Sequence, residues 1–135
     1  GQNVVVTPHS GEFKRLFGDA VENDTESRLS SCEKFAKKHS ITILLKGQED
    51  IVTNGDVSYT NSTVSPCMTV GGTGDVLSGL IAGFLSRNKN IIESASTATF
   101  VNGMAGEMLQ NEYGNHILAS DLISKLPLVL KSLSK

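Results

Sequence analysis

Tryptophan is absent from the 135 residues and only 5% of them are aromatic, so the chain offers no platform of flat side chains on which nucleic-acid bases could stack. An excess of either charge is also missing: 12 Lys and Arg against 14 Asp and Glu give a formal net charge of −2. Such a balance excludes the electrostatic footprint of a nucleic-acid or anionic-membrane binder. Cysteine is scarce. Cys32 and Cys67 share no CxxC spacing, and with His9, His39 and His116 scattered along the chain they make no zinc pattern. Two buried or incidental thiols in a reducing cytoplasm are the expectation. No apolar run approaches the roughly 20 residues of a membrane span. The opening GQNVVVTPH is a strand-like run and a turn rather than a leader. What remains as partner is a small molecule or a protein.

An apolar fraction of 39% and a charged fraction of 19% suit a folded domain with one core. Val4 to Val6 read as a short buried strand stopped by Pro8, followed by a helix that places Phe13, Leu16 and Phe17 on one face and ends at Gly18. The next helix starts in capping residues, spaces Leu29, Cys32 and Ala36 helically, and carries Lys37, Lys38 and His39 in its last turn, where the dipole favours cations. ITILLKG is a second buried strand. In DIVTNGDVSYTN, Asn54-Gly55 between two strand-like runs suits a type I′ hairpin turn. Leu77, Leu80, Ile81, Phe84 and Leu85 follow at amphipathic spacing. A long helix from Ile91 to about Leu109 turns Ile92, Ala95, Ala98, Ala105, Met108 and Leu109 inward, with Gly103 and Gly106 permitting close helix packing. A last helix from Ser120 is kinked or restarted at Pro127.

The chemistry concentrates in TVGGTGDVLSGLIAGFLSR, where three glycines and a carboxylate precede a helix. The first amides of a helix lack intrahelical acceptors and attract anions, and glycine lets backbone approach a phosphate closely. Gly71, Gly72 and Gly74 thus build either a phosphate cradle or an ordinary tight turn with Asp75 as a first-turn acid. No GK[ST] follows, so this is not the Walker pattern. A carboxylate beside a phosphate cradle repels the phosphate unless it has work such as accepting a proton from an attacking hydroxyl. Elsewhere the residues alone are less pointed. His9 reads as a turn histidine, Lys46 as a solvated cation at a strand end and Glu12 as an acid at a helix start.

GGTGDVLSG resembles the signature of the ribokinase-like superfamily. VVVTPHSGEFKRLFG, LLKG and GNHILASDLISKLP narrow the resemblance to the NAD(P)H-hydrate dehydratase family, in the family's order from residue 3 to about residue 130. The resemblance implies an α/β fold of the ribokinase-like three-layer αβα type with a largely parallel sheet, residues 1–135 being the C-terminal portion of that domain and an incomplete half of it. It implies Asp75 as catalytic base and as a binder of the reacting hydroxyl. Gly72, Thr73 and Gly74 become the anion hole and His9 a contact for the hydrated nicotinamide. Lys46, Gly47, Gln48, Glu49, Asp50 and Gly74 become the adenine-nucleotide site, and Glu12 an indirect organiser of metal. After the lysine this chain departs from the common bacterial pattern, with KGQED where KGAGT is usual.

The implied reaction is repair of hydrated NADH or NADPH: ADP or ATP phosphorylates the C6 hydroxyl with Mg²⁺ as the phosphate clamp, and phosphate then leaves. Two alternatives stay open, a ribokinase-like kinase of a vitamin precursor or sugar and a non-catalytic nucleotide-binding fragment. The expected setting is the cytoplasm, with no nucleic acid and no membrane, and with either a homo-oligomer or association with the missing N-terminal half. Few strands for five helical segments predict a sizeable exposed apolar patch unless another segment or copy covers it.

Overall fold

Residues Thr42–Leu45 form a strand, β2, in which all four positions are buried, and the fold is organised around it. A computed structural model describes residues 3–21 and 23–134. Chain order is β1 (Val5–Val6), α1 (Ser10–Phe17), α2 (Thr25–His39), β2, β3 (Asp50–Thr53), β4 (Ser58–Asn61), a 3-10 turn (Pro66–Thr69), α3 (Thr73–Leu85), α4 (Ile91–Tyr113) and α5 (Ala119–Leu133). Alternation along the strands sends Ile43, Leu45 and Ile51 to one face against Phe13, Cys32, Phe35 and Ala36 of α1 and α2. Leu44 and Val52 go to the other face, against Leu77 and Ile81 of α3 and Ile92, Ala95 and Ala98 of α4. A third cluster joins Val101, Ala105 and Leu109 of α4 to Leu122 and Val129 of α5. The layers are therefore helix, sheet, helix.

The sheet runs in the order β1-β2-β3-β4. Only β1 and β2 are parallel; β2–β3 and β3–β4 are antiparallel because the hairpin supplies two of the pairings. Within this chain the sheet is mixed. The hairpin itself differs from the expected type I′ turn. Thr53 pairs with Ser58, so the loop has four residues, and Gly55 has positive φ while Asn54 does not. Asn54 acts instead through its side chain, whose Oδ1 accepts from the amides of Asp56 (3.0 Å) and Val57 (2.9 Å).

Local capping fixes the helix ends. Gly18 ends α1 in the left-handed conformation at φ 72°. Asp24 caps α2 by accepting from Ser27 N at 2.8 Å, and the Asp121 carboxylate accepts from Leu118 N at 2.7 Å at the start of α5. α5 is not restarted at Pro127 but continues to Leu133. Ile123 and Pro127 are both exposed, so the carbonyl deprived of its partner faces water. Both cysteines are buried and free, and burial pushes the Cys32 thiol up to about 12, which leaves it inert.

The glycines of α4 admit something other than a helix. A Cβ at Gly103 would overlap the Thr63 carbonyl oxygen and hydroxyl, and one at Gly106 would overlap the Met68 sulfur. The segment between β4 and α3 thus lies directly on α4. It is fastened by Asn61 Nδ2 to Thr99 O (3.3 Å) and by Cys67 N to Gln110 Oε1 (3.1 Å). Because the clash at Gly103 is with backbone, Gly103→Ala is expected to cost about 1–3 kcal/mol. Urea unfolding of the full-length protein would show this as a lower midpoint at unchanged slope. An unaltered midpoint would refute the close approach.

Candidate active site

Beyond the carboxyl ends of the parallel pair, the chain continues side by side. Lys46 N donates to Pro8 O at 2.9 Å, and His9 bridges Lys46 in parallel register. His9 then becomes the N-cap of α1. Its Nδ1 accepts from the amides of Gly11 (3.0 Å) and Glu12 (3.2 Å), and Glu12 Oε2 accepts from His9 N at 2.8 Å, completing a capping box. The ring proton is thereby assigned to Nε2, which lies 3.6 Å from Glu12 Oε1. Lys46 Nζ lies 3.7 Å from Glu12 Oε2. The His9 amide, and after it the Lys46 ammonium, hold the Glu12 carboxyl below its ordinary range.

From the other side comes the glycine turn. Gly72 is the N-cap of α3 at φ 93°, a conformation that favours glycine. Thr73 Oγ1 lies 2.8 Å from Met68 O and 3.0 Å from Val70 O, tying the turn to the segment on α4. Among the described residues the amides of Gly72 and Gly74 have no acceptor, whereas that of Thr73 is turned to Val70 O at 3.4 Å. Two of the three expected anion-hole amides are thus free. Ser78 Oγ donates to Gly74 O at 2.9 Å and lies 3.3 Å from Thr7 Oγ1, linking the first turn of α3 to the end of β1.

These parts enclose one cavity of about 400 Å³, lined by Thr7, His9, Glu12, Lys46, Val70 to Asp75 and Ser78. A Cβ at Gly74 would meet Lys46 Nζ at 3.2 Å, so the ammonium rests against the helix start. Lys46 is on the same side of the sheet end as the glycine turn. The larger cavity, about 480 Å³, opens at the opposite ends of the strands near Ser40, Thr42 and Asn54. Its Lys37 is already paired with Asp56 at 3.0 Å.

The rest of the expected nucleotide loop divides: Gly47 and Asp50 line a small cavity of about 90 Å³ with Lys46 and Gly74, and Gln48 and Glu49 do not. Gln48 lines a separate cavity of about 310 Å³ with Ser10, Asn23 and Arg28. Glu49 Oε2 accepts from Thr25 Oγ1 at 2.9 Å. Asp50 is buried, its Oδ1 accepting from Gly47 N at 3.0 Å, and burial raises its carboxyl to about 6 despite Arg28 and Lys46 nearby. Sequence reasoning missed Arg28. Its signal was present: Arg28 stands four and seven residues before Cys32 and Phe35, on the buried stripe of α2. Thr7 and Ser78 carried no such signal. Among the described residues no group of three His, Cys, Asp or Glu side chains could hold a metal ion by itself, and no helix is long and apolar enough to cross a membrane.

The chain is 53% identical over 131 residues to the ADP-dependent (S)-NAD(P)H-hydrate dehydratase of Cenarchaeum symbiosum, covering 97% of this chain and 46% of that one. Against the enzyme of the same name from Nitrosopumilus maritimus it is 50% identical, covering 99% of this chain and 47% of the relative. Among solved structures it matches the ADP/ATP-dependent NAD(P)H-hydrate dehydratase of Bacillus subtilis, co-crystallised with ATP and Mg²⁺. That match has a TM-score of 0.89 and 30% identity, over 96% of this chain and 48% of the other. Hydroxyethylthiazole kinase from Pyrococcus horikoshii, at 20% identity and a TM-score of 0.79, shares the fold. The chain spans about half the length of the curated dehydratases it matches. The family model described as NAD(P)H-hydrate dehydratase matches residues 1–128, and with the ribokinase-like fold in place the chain belongs to that family.

Proposed function

We propose that this chain is the C-terminal portion of an enzyme that dehydrates hydrated NADH or NADPH with an adenine nucleotide as phosphoryl donor. The observation that carries the reading is the convergence of Asp75, the free Gly72 and Gly74 amides, Lys46, Glu12 and His9 on one cavity at the carboxyl ends of β1 and β2. Ligands of open α/β sheets gather at that edge.

In this reading Asp75 takes the proton of the C6 hydroxyl as that oxygen attacks the terminal phosphorus. The Gly72 and Gly74 amides and the Lys46 ammonium stabilise the charge on the transferring group. The nucleotide leaves as AMP from ADP, or as ADP from ATP; the ring nitrogen lone pair then expels phosphate from C6 to give an iminium, and loss of the C5 proton restores the C5–C6 double bond. His9, with Nδ1 committed to α1, offers Nε2 to the substrate. With one carboxylate, Glu12, beside Lys46 at the cavity, the residues would suit a hard cation such as Mg²⁺ that keeps its waters. Glu12 would hold it through water, and the ion would supply neutralisation of phosphate charge. ADP is the favoured donor because the two relatives at about 50% identity are named for it.

The half-domain reading is supported by β1, which among the described residues pairs on one side only. It is also supported by exposed Leu118, Ile123, Leu128, Leu130 and Leu133 on and beside α5. Association with the remaining half or with another copy would cover such surfaces, and a cytoplasmic setting suits a reaction on nicotinamide cofactors.

The test is to give the full-length protein chemically hydrated NADH with ADP or ATP and to follow the absorbance of reduced nicotinamide. Return of the absorbance is expected. A stable phosphate ester would indicate a small-molecule kinase, and nucleotide binding without either product would indicate a non-catalytic module.

A further inference from the structure

Arg28 is an arginine with 7% of its surface exposed, and it makes no ion pair with a carboxylate at salt-bridge distance among the described residues. A buried guanidinium loses its hydration, and that loss is offset only by well-placed acceptors. Here the acceptors are backbone. Nη1 donates to Glu49 O at 3.1 Å and Nη2 to Lys46 O at 3.3 Å, so one planar group spans both ends of the loop that follows β2.

Gly47 sits directly on the guanidinium, and a Cβ there would overlap Nη2 and lie 2.9 Å from Cζ. A side chain at this position would have to displace the guanidinium, so it is the close approach and not an unusual φ that the glycine admits. From the other side Asp50 Oδ1 accepts from Gly47 N at 3.0 Å. The loop is therefore clamped at three backbone atoms, and its first residue, Lys46, is the one whose ammonium rests against Gly74 and 3.7 Å from Glu12.

We propose that Arg28 is a positioning residue for nucleotide binding: its guanidinium fixes the Lys46–Glu49 loop and through it the placement of the Lys46 ammonium beside the phosphates. The inference rests on the nucleotide-site reading given above. A bridge that served stability alone would affect folding and all steps alike. A bridge that aims Lys46 acts on the nucleotide selectively. Lysine has the charge but only a point donor, so it reaches one carbonyl and not both. Methionine keeps much of the stem and no donor.

The experiment measures ADP dissociation constants by calorimetry, with steady-state kinetics, on full-length wild type, Arg28→Met and Arg28→Lys. Arg28→Met is expected to weaken ADP and raise its KM by about tenfold, as loss of a charged hydrogen-bond donor does. Because the Lys46 ammonium also stabilises the transferring group, kcat should fall together with ADP affinity, whereas the KM for hydrated NADH should stay within about threefold, and Arg28→Lys should restore part of both. A uniform loss in kcat and both KM values, tracking a lower melting temperature in both variants, would overturn the proposal. So would unchanged ADP affinity in folded Arg28→Met, or in folded Arg28→Lys should the methionine variant not fold. Calorimetry separates the two readings. If wild type binds ADP but does not turn over hydrated NADH, the dehydratase reading fails while the Arg28 comparison stands. If wild type binds no adenine nucleotide, the role of Arg28 falls with it.

Discussion

Asp75→Asn in the full-length protein is expected to lower turnover of hydrated NADH by about 10²- to 10⁴-fold, roughly 3 to 5 kcal/mol of barrier, while leaving the fold intact. Asn has the shape of Asp but cannot take the hydroxyl proton. Asp75 is exposed in the first turn of α3, beside the free amides of Gly72 and Gly74. Removing its negative charge lessens repulsion of the nucleotide phosphates, so ADP affinity should be equal to or slightly tighter than wild type. A first-turn acid serving the helix dipole alone gives a different pattern, a loss of about 0.3–1 kcal/mol in stability and near-normal turnover. Turnover and unfolding measured on the same variant distinguish the two. Retained turnover would remove Asp75 from the chemistry.

The elements of this fold were legible because each carries a period or a cap that acts locally. The ITILL strand and the amphipathic repeat after Asp75 needed no knowledge of the rest of the chain, whereas the buried strand expected at Val4 to Val6 is only Val5–Val6 and half-buried, with Val4 38% exposed outside it. The glycine turn was legible for the same reason, since free amides and an adjacent acid are properties of a short stretch. The contents of the loop after β2 were not. Asp50 reads as one more polar residue in KGQED, yet β3 starts there and turns it inward. Burial of a charged residue depends on what packs over it, here Met68, Leu77 and Asn102 on the α3 and α4 side of the sheet, and that is a property of tertiary contact. The hairpin shows the same limit at smaller scale: Asn54-Gly55 marked the turn, but the strand pairing that made the loop four residues long is fixed by the register of β3 against β4. Gly103 and Gly106 announced close packing without naming the partner, because absence of a side chain does not say what fills the space.

Asp50 supplies the second large effect, and its sign is opposite to that of most acids in folded proteins. Burial is the dominant influence on its carboxyl and raises it from an ordinary 3.8 to about 6, against the lowering influences of the Gly47 amide, Arg28 and Lys46. Between those two values the folded chain holds a proton at Asp50 that the unfolded chain has released. Stability contributed by this group therefore falls as pH rises from about 4 to about 6 and is level above that window. A displacement of about 2 units corresponds to up to about 3 kcal/mol, at 1.36 kcal/mol per unit. Asp50→Asn removes the ionisation and keeps an oxygen that can accept from Gly47 N. The variant should match wild type near pH 4, gain on it through pH 6, and exceed it by up to about 3 kcal/mol at pH 7. Urea unfolding of the two full-length proteins across pH 4 to 8 measures the difference directly, and contributions from the exposed acids Glu12 and Asp24 cancel between them. The competing force is the attraction between Asp50 and the buried guanidinium of Arg28. If that attraction outweighs burial, the difference reverses sign: the variant loses stability as pH rises and is the weaker protein at pH 7.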